Sequence, residues 1–203
     1  AILLGVCLWP LIGQFVSLVN NWLVDGGEDP TWKLELLKKA NEVVAQWRTV
    51  NPVIILFCFS IVPAICEEFF FRGILFRSLL WQSRPWLAIL ISALTFGVFH
   101  TLSLTDLSTQ KLLPSFIAGI VLALVCYKSG SIIPGILLHS INNGILVSVA
   151  YYEPELIADG WITADQEGFP TQVLIGALIG TGLGLYLIGR LKETRLGKLP
   201  PSE

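Results

Sequence analysis

The sequence predicts an all-α polytopic membrane protein with about six transmembrane helices and one amphipathic helix at the membrane surface. Hydrophobic residues make up 54% of the 203 residues and charged residues only 14%, against about 25% charged residues in soluble domains. The apolar residues also form blocks long enough to cross a bilayer. No linker rich in Ser and Gly separates these blocks, so we expect a single integral-membrane domain over residues 1–203.

Six apolar blocks give the predicted spans. They cover residues 1–24, 51–81, 85–104, 112–127, 132–150 and 171–189. The last block repeats glycine every four residues at Gly176, Gly180 and Gly184, a spacing that permits close helix packing. The motif-bearing core is expected over about 52–150.

The segment 31–50 differs from the apolar blocks. It follows the helix-breaking stretch DGGEDP and places Leu34, Leu37, Val44 and Trp47 loosely on one side, with Lys, Glu and Gln on the other. This pattern is typical of an amphipathic helix lying in the membrane interface.

The loop charges predict the orientation. If the spans alternate, eight basic residues lie on the side of the tail 191–203 and five on the other. The positive-inside rule then makes the C-terminal tail cytoplasmic. The net charge of -2 is too small to indicate a nucleic-acid partner, and the expected environment is the lipid bilayer.

Ionisable residues are rare inside the apolar blocks. They are Glu67, Glu68, Arg72, His100 and His139. Such residues are costly in a membrane and indicate function. Glu68 and Arg72 stand one helical turn apart, which favours an ion pair. Glu67 points about 100° away from Glu68, so we expect it to face the interior of the bundle.

Two chemistries fit these side chains. The Glu67 carboxylate can take a proton from water, while histidine and asparagine side chains donate hydrogen bonds to an oxyanion. Asn143 shares a helix face with His139, and Asn142 is the weaker candidate. Alternatively, Glu67, His100 and His139 form a three-ligand set typical of catalytic zinc. A proton-coupled transporter would also use residues of these types.

Three motifs occur in order along the chain, and each contains a pair of residues one helical turn apart. They are Glu67-Glu68-x-x-x-Arg72, Phe96-x-x-x-His100 and His139-x-x-x-Asn143. With their apolar context they resemble the CPBP family, the CAAX protease and bacteriocin-processing group of intramembrane proteases, also called the Abi family. The resemblance implies a CAAX-protease-like helical core and peptide-bond hydrolysis within the bilayer.

The resemblance also implies roles for individual residues. Glu67 would activate water with His100, while His139 and Asn143 would hold the oxyanion. Glu68 and Arg72 would support the site. The family has been described both as metalloproteases and as metal-independent glutamate proteases, so the cofactor is zinc or none. Expected substrates are membrane-embedded or lipid-anchored peptides. The alternative is a non-catalytic scaffold, assembly factor or immunity factor in a membrane complex.

Overall fold

The computed structural model describes residues 1–25, 38, 41–102, 111–159 and 169–191. Within these ranges the secondary structure is helical and contains no strand, which confirms the predicted fold class. The main helices are α1 (Ile2–Asp25), α2 (Pro52–Gln82), α3 (Pro85–Thr101), α4 (Leu112–Ser129), α5 (Ile133–Tyr151), α6 (Glu153–Ala158) and α7 (Thr171–Arg190).

The helices agree with the six predicted spans. By length and composition, α1, α2, α4, α5 and α7 can each cross a membrane. Helix α3 is apolar and 17 residues long, which is at the lower end of the range for a spanning helix. Of the predicted amphipathic helix, residues 41–47 are helical, and its position in the membrane interface stays a prediction. Most of its first half and almost all of the tail 191–203 lie outside the described residues.

Local capping sets the ends of two helices. At the start of α2, the Asn51 side chain accepts a hydrogen bond from the Val53 N–H at 2.9 Å, so one free N–H of the first turn is satisfied. Helix α4 ends at Gly130, whose φ of 70° is left-handed and suits glycine. The Ser131 hydroxyl then accepts from the Ile133 N–H, so a short turn joins α4 to α5.

Helix α2 changes its winding twice without breaking. Phe57–Ile61 and Phe69–Leu75 are π-helical, a geometry that is rare and often found at functional sites. The second π-helical segment begins directly after Glu68. Because α2 continues to Gln82, Glu67 lies near its middle and can reach the same depth as His100 at the far end of α3.

Glycines allow close packing between neighbouring helices. A Cβ at Gly97 would lie 2.8 Å from the backbone oxygen of Leu112, so α3 and α4 nearly touch there. Two of the three glycines predicted to pack closely in α7 do so, because a Cβ at Gly180 or Gly184 would collide with side chains of α1. A Cβ at Gly176 would meet nothing within 4 Å.

The segment before α2 is attached to the end of α5. The Arg48 guanidinium donates to the backbone oxygen of Tyr151 at 2.8 Å and to that of Ala150 at 3.3 Å. These carbonyls belong to the last turn of α5, where a cation is favourable. The Tyr151 hydroxyl in turn donates to the Val50 oxygen at 3.0 Å.

The close contact between α3 and α4 predicts that Gly97→Ala lowers stability. Because the obstacle is backbone, the helices must separate, and we expect a loss of about 1–3 kcal/mol. Gly182→Ala is the matched control, since a Cβ there meets nothing within 4 Å; it should be neutral or gain up to about 1 kcal/mol of helix propensity. Thermal unfolding in detergent measures both variants, and equal melting temperatures would contradict the packing argument.

Candidate active site

A fully buried ion pair forms the base of the site. Arg72 Nη1 donates to Glu68 Oε1 at 2.7 Å, and both side chains are inaccessible to solvent. Arg72 Nη2 also donates to the backbone oxygen of Gly119 at 3.1 Å, and the guanidinium carbon lies 4.4 Å from the centre of the Phe96 ring. The predicted pair between Glu68 and Arg72 is therefore present and joins α2 to α3 and α4.

Glu68 also connects α2 to α5. Its Oε1 atom lies 3.0 Å from His139 Nδ1. Its Oε2 atom is buried without a hydrogen-bond partner and lies against the first turn of α5, where a Cβ on Gly135 would be only 3.0 Å away. The partial positive charge of a helix N-terminus favours a carboxylate in this place.

Glu67 faces a different set of groups. Its Oε2 atom lies 3.6 Å from His100 Nε2 and 3.8 Å from His139 Nε2. Both separations exceed a hydrogen bond, and this buried oxygen has no hydrogen-bond partner. The side chains of Glu67 and His100 are 19% and 29% exposed, against 7% for His139. The site therefore opens on the side of His100.

The hydrogen bonds to the two Nδ1 atoms determine which nitrogen of each ring carries its proton. His100 Nδ1 lies 2.9 Å from the Phe96 carbonyl oxygen, which can only accept, so this nitrogen donates. His139 Nδ1 donates to the carboxylate of Glu68 in the same way. In the neutral rings both Nε2 atoms then carry lone pairs. Three acceptor atoms, including Glu67 Oε2, consequently face one another and require a shared donor.

Phe96 lies at the centre of these groups. Its buried ring is centred 4.4 Å from the His100 ring and 5.6 Å from the His139 ring. It also covers the guanidinium of Arg72. The sequence indicated only its helical spacing from His100. The structure shows that its ring contacts both the Arg72 guanidinium and the His100 ring, and that its carbonyl orients His100.

A family model described as "Type II CAAX prenyl endopeptidase Rce1-like" matches residues 49–145. This segment is therefore similar to an Rce1-like domain. The match covers just under half of the chain and contains all three motifs. It confirms the resemblance to the CPBP family and, at the family level, supports a membrane protease. Comparisons with curated proteins and with solved structures gave no match.

The Rce1-like segment brings together five of the predicted residues, namely Glu67, Glu68, Arg72, His100 and His139. Asn143 lies one turn beyond His139 in α5 and is half-buried. Within the described part of the chain, no hydrogen bond joins Asn143 to this cluster. Its predicted contact with an oxyanion therefore stays a prediction. The Oδ1 atom of Asn142 is buried and has no hydrogen-bond partner.

The predicted zinc set was tested against the arrangement of side chains. Among the described residues, no group of three His, Cys, Asp or Glu side chains is placed to hold a metal ion. The choice between zinc and no metal at these three residues stays a prediction, because Glu67 Oε2 lies 3.6 Å and 3.8 Å from the two Nε2 atoms, close to the spacing of two ligands on one zinc ion bound at about 2.0–2.2 Å.

Two glycines of the site were not recognised from the sequence. Gly119 offers its carbonyl to Arg72, and Gly135 leaves room for the Glu68 carboxylate. A signal existed for Gly135, because it stands one turn before His139 on the same helix face. Gly119 carried no such signal, since one glycine in an apolar helix resembles any other.

The buried ion pair predicts that Arg72→Leu is strongly destabilising. It leaves the Glu68 carboxylate buried without its cation, which costs roughly 3–5 kcal/mol. The double variant Glu68→Gln with Arg72→Leu should recover much of this loss, because no charge then remains in that place. Arg190→Leu, at an exposed position, is the control. The melting temperatures of these variants in detergent measure the effect. If Arg72→Leu alone is as stable as the unaltered protein, the ion pair does not stabilise the fold.

Proposed function

We propose that this protein is an intramembrane endopeptidase that hydrolyses peptide bonds of membrane-associated substrates with water activated by Glu67. The observation that carries the proposal is the unpartnered Glu67 oxygen facing two imidazole Nε2 atoms whose rings are fixed through Nδ1. The Rce1-like match supports the protease class and substrates associated with the membrane.

A water molecule supplies the donor that the three acceptors need. Hydrogen bonds from a water to its acceptors measure about 2.7–2.8 Å. Two acceptors 3.6 Å or 3.8 Å apart can therefore share one water, which donates one proton to Glu67 and the other to an imidazole. This places the water oxygen beside the general base before substrate arrives.

The chemical steps follow from this position. Glu67 takes a proton while the water oxygen forms a bond to the carbonyl carbon of the scissile peptide. The resulting tetrahedral intermediate breaks its C–N bond, and the leaving amine receives the proton from Glu67. A correctly placed general base of this kind contributes about 10²–10⁴-fold to the rate. Glu68 takes no part in the proton transfer, because its side chain is fully buried in the ion pair with Arg72, whereas Glu67 is partly exposed.

A role for His139 at the oxyanion requires a proton on Nε2, because Nδ1 already donates to Glu68. Asn143 can donate from its amide without any change of protonation, which suits the same task if substrate draws it into the site.

The exposed side of the site indicates where substrate enters. Glu67 and His100 are partly accessible, whereas Glu68 and Arg72 are fully buried. A peptide must therefore approach from the end of α3 that carries His100. The exposed surfaces of α2 and α3 next to this entrance are apolar, with Phe69, Phe70 and Phe99 each more than half exposed. Such an entrance suits a membrane-embedded or lipid-anchored peptide.

Removal of the general base gives the direct test. Glu67→Gln keeps the size of the side chain but cannot accept a proton, so we expect cleavage to fall by about 10²–10⁴-fold with little change in melting temperature. The substrates are a prenylated CAAX peptide and the same peptide carrying a transmembrane anchor instead, both in lipid vesicles. Glu155→Gln, on the exposed surface of α6, is the control and should cleave normally.

The same experiment separates the protease from a scaffold. If Glu67→Gln and the unaltered protein cleave both peptides equally, the catalytic role of Glu67 is wrong, and if the unaltered protein cleaves neither peptide, the scaffold is favoured. Cleavage of only one peptide would define the anchor that the site accepts.

Chelation tests the metal-independent mechanism. The proposed mechanism needs only a water held by Glu67 and the histidines, so we expect cleavage to continue after dialysis against a strong chelator. Elemental analysis of the purified protein accompanies the assay. Loss of activity on chelation, restored by zinc at one equivalent, would overturn the proposed mechanism and leave the protease assignment intact.

A further inference from the structure

Helix α2 carries a second arginine that the site does not use. Arg77 is half-buried, and its Nε atom is buried with no hydrogen-bond partner. Among the described residues, no carboxylate lies within ion-pair distance of it. An arginine in a membrane span is costly and is normally paired, so Arg77 requires an anion from elsewhere.

The neighbouring tryptophans locate Arg77 relative to the membrane surface. Trp81 and Trp86, on either side of the turn between α2 and α3, are 71% and 56% exposed. Exposed tryptophans of membrane proteins gather at the level of the lipid headgroups. Arg77 precedes Trp81 by four residues, a rise of about 6 Å along the helix. An arginine side chain can extend over that distance to the interface.

The charges at this end of the bundle are all positive among the described residues. Arg84 is exposed in the turn between α2 and α3, and Lys128 lies in the last turn of α4. Phe76 and Leu80 of α2 pack in one cluster with Cys126 of α4, so the stretch of α2 that carries Arg77 lies against the C-terminal end of α4. The described acidic residues Glu42, Glu153, Glu155 and Asp159 belong to segments at the opposite end.

We infer that Arg77 and Arg84 bind the phosphate of an anionic phospholipid at the junction of α2, α3 and α4. Phosphate is the anion present at the level where the tryptophans place these side chains, and guanidinium groups bind it through two parallel hydrogen bonds. A lipid fits better than a soluble anion, because Ile74 and Trp81 on the same stretch of α2 are exposed apolar side chains that contact acyl chains.

Lipid retention measured by native mass spectrometry tests this site. The full chain is purified in detergent and mixed with phosphatidylglycerol or phosphatidylcholine having identical acyl chains. We expect preferential retention of phosphatidylglycerol, and Arg77→Gln should reduce that preference about fivefold, as expected for one basic residue near an anionic surface. Arg190→Gln is the matched control. It removes the same charge from the exposed end of α7 and should leave the preference unchanged.

Each alternative outcome overturns the inference. An equal reduction in Arg77→Gln and Arg190→Gln would indicate diffuse attraction to a basic surface, and no preference in the unaltered protein would exclude the site. Displacement of the lipid by inorganic phosphate would show that the site of Arg77 and Arg84 binds a soluble anion and not a lipid. If Arg77→Gln does not fold, Arg84→Gln in the exposed turn replaces it, and unchanged retention in that variant contradicts the proposal. None of these readouts depends on peptide cleavage.

Discussion

The candidate site depends on one interaction, the buried pair between Glu68 and Arg72. The removal of two charges from water is expensive, and such pairs often contribute little net stability. Here the pair fixes geometry, because Arg72 binds the Gly119 carbonyl of α4 while Glu68 binds His139 of α5. The carboxylate thereby sets the orientation of the histidine that faces Glu67.

Two adjacent glutamates acquire different properties because a helix separates neighbouring side chains by about 100°. Glu68 points into the dry interior, where its Oε1 is occupied by a cation and an imidazole. Glu67 points towards a partly open region, where its Oε2 has no donor. A fully buried carboxylate that is paired with a cation is a poor base, whereas a partly exposed carboxylate without a cation can accept a proton. Glu67 is thus available as a general base, because Glu68 is the carboxylate that pairs with Arg72.

The sequence was sufficient for the class of the fold, for the spans and for five of the six residues predicted to meet, Asn143 being the exception. Ionisable side chains in apolar helices have to face one another, so the convergence of Glu67, His100 and His139 followed from their rarity. The ion pair followed from its spacing. Other features depend on distances between helices that no local pattern encodes. These include which nitrogen of each histidine ring carries the proton, and the space that Gly135 leaves for the Glu68 carboxylate. The contacts of Phe96 with the site could not be predicted either, because an aromatic residue in an apolar helix usually has only a packing role.

Helix α2 shows how a membrane span accommodates several charges at once. Each charge needs a counterpart at its own depth, since the bilayer interior offers no water to solvate it. Arg72 pairs with Glu68 inside the bundle, and Glu67 lies on the partly exposed side of the site. Arg77 lies closer to the membrane surface and has no protein carboxylate beside it among the described residues. The need for a counter-charge therefore accounts for the ion pair between Glu68 and Arg72 in the interior. At the end of α2 the same need accounts for the proposed binding of Arg77 to a lipid headgroup.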